Sequence, residues 1–170
     1  MKQIITLAIL ASAMIWNPAM AQKSNKFGHI NSAELLGLMP ERKAAAAKMD
    51  SITKDVEKQL QEMMTEYRAK QEKYSSEAPK LSELVKKDKE EELTSLGTRI
   101  QNFQQQAQQS LEQQEQALIE PIVNKAKKAI EQVAKENGYT YIFDTSAGSL
   151  LFWEESDNVL ASVKKKLNLQ

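Results

Sequence analysis

The fold is decided by the stretch LTSLGTRIQNFQQQAQQSLEQQEQALIEPIVNKAKKAIEQV, which occupies residues 93–133. Apolar residues recur through it, and if Gln114 is counted as a missing member, the mean step is about 3.6 residues, the period of an almost straight α-helix. About one side chain per turn is apolar, which indicates a thin seam instead of the wide stripe that faces a globular core. The spacing continues across Pro121, so we expect a kink there and not a helix end. The series is Leu93, Leu96, Ile100, Phe103, Ala107, Leu111, Leu118, Ile122, Ala126, Ile130 and Val133.

A second series of apolar residues precedes this stretch and recurs at the same helical spacing of three or four residues. A cluster of turn residues, Ser-Ser-Glu-Ala-Pro at residues 75–79, separates the two, and its proline disfavours helix at residue 78. The sequence therefore predicts a long antiparallel helical hairpin over residues 40–138, with its tip near residues 75–88 and arms roughly 65 Å long. The earlier series is Met49, Ile52, Val56, Leu60, Met63 and Tyr67.

The segment before the hairpin predicts a short strand and a short helix. Residues 27–30, Phe-Gly-His-Ile, are a strand candidate. Asn31 can cap a helix over residues 33–39, with Glu34 as its capping-box partner. Pro40 then suits the first position of the long helix, where a missing N–H is tolerated.

The segment after the hairpin predicts a β-hairpin and a last helix. Gly138 is a good helix stop because glycine tolerates the left-handed conformation. Residues 139–144 alternate as in a strand, and we expect residues 149–154 to pair with them across a turn. Asp157 is the expected cap of the last helix.

The two terminal segments, residues 22–39 and 139–170, are predicted to form one small β-rich body, so the fold class is α+β. They hold too few residues to bury enough apolar surface alone, and without cysteine no disulfide can help. We therefore expect copies of the chain to associate. The residues expected to build the body and its contacts are Ile30, Leu35, Leu36, Tyr141, Ile142, Phe143, Leu151, Phe152, Trp153, Leu160 and Val163.

The composition argues against catalysis, cofactors and nucleic acid. The absence of cysteine excludes thiolate nucleophiles and cysteine-bound zinc, and His29, the only histidine, is interpreted as structural. The five glycines are too scattered to form a phosphate-binding loop. With 23 basic and 23 acidic residues, the chain lacks the positive charge of a nucleic-acid binder. We expect no enzyme activity, no metal and no cofactor.

The first 21 residues have the features of a secretory signal peptide. Lys2 precedes an apolar run over residues 4–15, and Ala19-Met20-Ala21 is a typical cleavage site. The run is too short for a membrane span, so no stable membrane insertion is expected. Cleavage after Ala21 and the lack of cysteine favour a bacterial periplasm.

Together these motifs resemble the OmpH/Skp family of periplasmic chaperones. The resemblance is carried by residues 27–36 (FGHINSAELL), residues 39–41 (MPE), the Gln/Lys/Glu-rich hairpin, residues 134–139 (AKENGY) and the closing segment 157–167. It implies a homotrimer whose strands assemble a β-rich body and whose three hairpins project as tentacles. It further implies that unfolded outer-membrane proteins are held between the tentacles without ATP and passed to the membrane assembly machinery. The best-known member is strongly basic, whereas this chain is near neutral.

Adaptable apolar side chains near the distal arm are the predicted contacts with such clients. For Met63 and Tyr67 the alternative is that they complete the seam between the two helices. A rival function is an exported coiled-coil structural or adaptor protein that clamps one fixed envelope partner. The predicted client contacts are Met63, Met64, Tyr67, Tyr74, Leu81, Leu84 and Val85.

Overall fold

The computed structural model describes residues 25–169, so the expected signal peptide lies outside the described residues. Two short strands and two short helices surround the base of two long helices. In chain order the elements are β1 (Phe27–Ile30), α1 (Ser32–Leu38), α2 (Pro40–Glu77), α3 (Glu83–Asn137), β2 (Tyr141–Asp144) and α4 (Leu160–Lys166). Short 3₁₀ turns lie at Ala78–Lys80 and Glu155–Asp157.

The long helical hairpin is confirmed. Helices α2 and α3, of 38 and 55 residues, pack against each other and reverse at Ala78–Lys80, inside the predicted tip. Helix α2 ends at Glu77 because Pro79 disfavours helix before it. Ser82 then starts α3 by accepting a hydrogen bond from the backbone N–H of Val85. Helix α3 continues through Pro121, as the unbroken spacing predicted.

The predicted helix ends near the body are also confirmed. The Asn31 side chain accepts a hydrogen bond of 3.0 Å from the backbone N–H of Glu34 at the start of α1. Pro40 is the first residue of α2. Gly138 ends α3 in the left-handed conformation, with φ +71°.

The predicted β-hairpin is wrong. Strand β2 pairs in parallel with β1, with Phe27 opposite Tyr141 and Ile30 opposite Asp144, and residues 149–154 form no strand. Parallel neighbours need a long crossover, which the helical hairpin supplies here. On the other edge of β1, the backbone N–H of Val159 donates to the carbonyl of His29 over 2.9 Å. Both edges of β1 are therefore engaged.

The predicted cap of the last helix is wrong, because Val159, two residues after Asp157, directly precedes the helix and makes no side-chain capping hydrogen bond. Asp157 belongs to the 3₁₀ turn, and the Asn158 side chain accepts the hydrogen bond of 2.9 Å from the backbone N–H of Leu160. Because the chain has just left the edge of β1 at this point, tertiary pairing decides where the helix begins.

The core lies where the body meets the root of the arm. Half of its buried side chains come from α2 and α3, within the segment that the sequence assigned to the arm. His29 is the buried polar residue beside them, and its Nε2 lies 3.0 Å from the carbonyl oxygen of Glu154. The buried apolar residues are Ile30, Leu35, Met39, Ala45, Ile122, Ala126, Ala129, Val133, Val159 and Val163.

Candidate interaction surfaces of the arm and the body

Three of the seven predicted client contacts are exposed, two at the tip of the arm and one further back on α2. Leu84 is 79% exposed at the start of α3, next to the exposed Val85, and Met64 is exposed on α2. Leu84 lies in the first turn of its helix, where the opposite helix has already ended at Glu77. No neighbouring helix can therefore cover it, and its side chain is accessible to a partner.

Two other predicted contacts, Met63 and Tyr67, are half-buried between the helices. The Cε2 atom of Tyr67 lies 3.7 Å from the position that a Cβ on Gly97 would occupy. The missing side chain of Gly97 thus leaves room for the ring of Tyr67 against α3. This contact covers part of the Tyr67 ring, which agrees with the alternative that Tyr67 contributes to the seam between the two helices.

Tyr74 and Leu81, the remaining predicted contacts, are half-buried around a cavity of about 130 Å³ near the tip. The hydroxyl of Tyr74 donates to the carboxylate of Glu90 across the hairpin, and this hydrogen bond raises the pKa of Tyr74. The hydrogen bond also fixes the position of the ring. Both side chains are consequently oriented by contacts within the arm.

An ion-pair network joins the two helices beside this cavity. Lys70 on α2 donates to Glu92 on α3, and Lys89 donates to the same carboxylate over 3.2 Å. The hydrogen bonds from Lys70 and Lys89 lower the pKa of Glu92, and the hydrogen bond to Glu92 raises the pKa of Lys70. The distal end of the hairpin is thus linked by side-chain hydrogen bonds as well as by apolar contacts.

The middle of the arm is much less closed. Within residues 46–121, Leu96 is the one buried residue. Two adjoining cavities of about 380 and 330 Å³ run along one side of the hairpin and share Met49 and Glu115. We call them together the mid-arm groove. Its apolar lining includes Met49, Val56, Leu60, Phe103, Ala107, Leu111, Leu118 and Ile119.

Sequence reasoning did not single out this groove, because the same residues were interpreted only as a seam. A signal for it was present, since one apolar residue per turn gives only a narrow seam and not the wide stripe of a core-facing helix. The low density of apolar residues thus leaves the seam partly accessible.

The body exposes a row of aromatic rings on one face of the two-stranded sheet. The ring centroids of Phe27 and Tyr141 are 6.0 Å apart, and those of Tyr141 and Phe143 are 6.3 Å apart. All three rings are exposed. Phe27 was not named among the residues expected to build the body and its contacts. Its place opposite Tyr141 in the strand register puts its ring in the same row.

The other predicted body residues divide into two groups. Ile30, Leu35 and Val163 are fully buried, and the partly buried Leu36, Ile142 and Leu160 pack against them. The second group is exposed in the single chain: Leu151 at 96%, and also Phe152 and Trp153. The ring centroids of Trp153 and His29 are 5.7 Å apart.

Residues 25–169 contain neither a membrane-spanning helix nor a metal-binding cluster. No helix in this part of the chain is long and apolar enough to cross a membrane. The same residues contain no group of three or more His, Cys, Asp or Glu side chains arranged to hold a metal ion.

The fold defines a class of proteins in which two terminal segments form a small body around the root of one long helical hairpin. Within this class, the family described as Outer membrane protein (OmpH-like) matches residues 26–167, and the chain belongs to this family. The resemblance that the sequence motifs indicated is therefore confirmed.

Individual relatives agree with this assignment. The chain is 26% identical to the chaperone protein Skp of Vibrio cholerae serotype O1 over 161 residues, covering 95% of this chain and 93% of the relative. It is 24% identical to the chaperone protein Skp of Photorhabdus luminescens over 167 residues, covering 98% and 99%. The crystal structure of an OmpH-like protein from Caulobacter crescentus CB15 matches with a TM-score of 0.74 at 16% identity, covering 85% of this chain and 84% of that one.

Proposed function

We propose that this protein is an ATP-independent holdase chaperone that binds unfolded outer-membrane proteins in the periplasm and prevents their aggregation. Membership of the OmpH-like family and the similarity to two proteins named chaperone protein Skp support the proposal. The observation that carries it is the accessible apolar surface of the arm, at its tip and along the mid-arm groove.

This surface suits reversible holding. Fully burying a leucine-sized side chain contributes roughly 1.5–3 kcal/mol, so Leu84 or Val85 alone would bind a client only weakly. Several such contacts acting together would hold a client, and mass action would release it when a folding partner competes. A compartment without ATP requires this kind of release. Met64 adds a flexible side chain that adapts to different client sequences.

We infer that the working form is a homo-oligomer, a trimer by family resemblance, with the arms surrounding a cavity. The row formed by Phe27, Tyr141 and Phe143 supports self-association, because a contiguous exposed aromatic surface is unusual on a monomer. The exposed Leu151 and Phe152 extend the apolar area of the body. Delivery of clients to the membrane assembly machinery belongs to the same proposal.

The test removes apolar surface at the tip without disturbing the fold. The double variant Leu84→Ser/Val85→Ser alters exposed side chains, whereas Leu81 is left intact because it lines the tip cavity. The matched control, Ala69→Ser/Ala117→Ser, also introduces two serines at exposed positions of the arm but removes little apolar surface.

Light scattering of two unrelated unfolded barrel proteins, with sedimentation of each variant, gives the readout. We expect the tip variant to require several-fold more protein for the same suppression of aggregation, with its sedimentation unchanged. Equal suppression by the tip variant and the control would contradict the client contacts. A protein that suppresses no aggregation and binds a single envelope partner would instead be the adaptor.

Export is tested separately. We expect the amino terminus of the protein recovered from a bacterial periplasm to be Gln22, the residue after Ala21. Recovery from the cytoplasm with Met1 intact would contradict the proposed location.

A further inference from the structure

The mid-arm groove has a definite length and lining. Its floor is apolar from Ala45 at the root end to Leu60 and Phe103 at the distal end. From Arg42 to Leu60 the helix α2 advances by about 27 Å, the length of about eight residues of extended chain. The groove is open along its length, so an extended polypeptide can enter from the side.

The rim of this groove is acidic in its middle. Glu112 and Glu115, one turn apart on α3, both line it. In the described part of the chain neither carboxylate has a lysine or arginine nitrogen within 4 Å, although the Gln108 side chain donates to Glu112 over 3.4 Å. Asp50 lines the α2 side and pairs with Lys54 over 2.6 Å. The rim thus offers two carboxylates without a cationic partner.

Few lysine or arginine side chains of the arm lie beside these two carboxylates. Helix α3 has no lysine or arginine between Arg99 and Lys125. On α2, Lys48 lines the separate cavity on the other side of the root, where Lys125 pairs with Glu41. Arg42 is the one basic residue that lines the mid-arm groove, at its root end. The α3 side of the mid-arm groove therefore carries carboxylates without a lysine or arginine of its own.

We propose that the mid-arm groove binds extended segments of unfolded clients in which lysine or arginine side chains alternate with large apolar ones. The apolar floor accepts the apolar side chains, and Glu112 and Glu115 pair with the basic ones. This inference rests on the proposed chaperone function and specifies the class of client segment that the arm prefers. An anionic segment of the same apolar content is disfavoured, because its carboxylates would approach Glu112 and Glu115.

The experiment uses the full mature protein and two fluorescein-labelled twelve-residue peptides. One alternates lysine with leucine and phenylalanine, and the other carries glutamate in place of every lysine. The variant Glu112→Gln/Glu115→Gln removes the two rim charges. The control, Glu72→Gln/Glu120→Gln, changes the net charge equally at two exposed positions that do not line the groove.

Fluorescence anisotropy should show tighter binding of the cationic peptide to the unaltered protein. We expect roughly three- to tenfold weaker binding to the rim variant, as for two exposed ion pairs, and little change in the control. The difference should shrink at 0.5 M NaCl. The reversal Glu112→Lys/Glu115→Lys should give preference to the anionic peptide.

Other outcomes overturn the inference. Equal weakening in the rim variant and the control would mean that net charge, not the groove, attracts the peptide. Failure to bind either peptide, with sedimentation showing an assembled protein, would mean that another copy fills the groove. If unfolded barrel proteins are still kept soluble in these cases, the chaperone proposal survives and only the groove assignment fails.

Discussion

The root and the middle of the arm are built from the same two helices, yet they pack in different ways. At the root, Ile122, Ala126, Ala129 and Val133 of α3 are buried because α1, α4 and β2 pack against this helix in addition to α2. In the middle, the equivalent seam positions have only the opposite helix beside them, and their side chains remain half-buried with the exception of Leu96.

The difference teaches that burial in this protein depends on a third layer. Two helices with one apolar residue per turn bury only a narrow seam, and between residues 46 and 121 of this seam Leu96 alone is buried. Where the body adds a third neighbour, the same spacing gives a closed core. Where it does not, the seam stays accessible, which is the property that a client-binding surface needs.

The largest expected effect comes from truncating matched leucines in the two regions. Leu35→Ala, at a fully buried position, should lower the free energy of unfolding by about 3 kcal/mol, because it leaves a cavity in the core. Leu111→Ala, at a half-buried position of the mid-arm groove, should lower it by about 1 kcal/mol. Urea unfolding at one fixed protein concentration compares them, since association couples stability to concentration. Equal losses would mean that the arm is packed as tightly as the body.

A smaller pair of effects of opposite sign comes from adding a methyl group to glycines. A Cβ on Gly28 would lie 2.9 Å from the ring of Tyr139 and 3.1 Å from Val159, so Gly28→Ala should destabilise the body by roughly 1–3 kcal/mol. A Cβ on Gly97 would make only an ordinary contact with Tyr67, at 3.7 Å. Gly97→Ala should therefore stabilise the arm by roughly 0.5–1 kcal/mol, as expected for a helical glycine.

The control for these glycine variants is Gly37→Ala in α1, where a Cβ would meet no atom within 4 Å. Thermal unfolding of all three variants gives the readout. Destabilisation by Gly97→Ala would contradict the open packing of the middle arm.

The smallest expected effect concerns the hydrogen bonds that the carboxylate of Asp144 accepts in the body, which depend on pH. Asp144 accepts hydrogen bonds from the backbone N–H groups of Ser32 and Ser146, over 3.1 and 2.9 Å, and from the Ser32 hydroxyl. Partial burial raises the pKa of Asp144, but these hydrogen bonds outweigh burial and lower it to about 2. Since the folded pKa lies below the ordinary value of 3.8, the stabilisation is present above about pH 4 and is lost as the pH falls towards 2.

The variant Asp144→Asn should have a free energy of unfolding roughly 1 kcal/mol lower than that of the unaltered protein at pH 7. This figure is small because the Asp144 side chain is largely exposed. Near pH 2 the two proteins should be equally stable. Urea unfolding of both proteins at pH 7, 4 and 2.5 measures this convergence. A constant difference across that range would show that the charge of Asp144 does not stabilise the body.

Prediction from the sequence succeeded where the contacts are local. The helix caps at Asn31 and Gly138 and the reversal after Glu77 depend on residues a few positions apart, and all three were predicted correctly. Leu84, named as a client contact, is exposed beside the turn, and its contact with clients stays a prediction. The partner of β2 was predicted wrongly, because its register with Phe27 joins residues more than a hundred positions apart.

The sequence by itself thus determined the two long helices, their reversal and the apolar period along them, since these follow from backbone preferences within a few turns. Only the tertiary structure decided that the strands run parallel, that the root of α3 completes the core, and that Glu112 and Glu115 share a groove with Val56 and Leu60. The physical reason is that a side chain is buried or accessible according to which distant segments lie beside it. In this protein the long helices bring those segments together at the root and leave the rest of the arm without them.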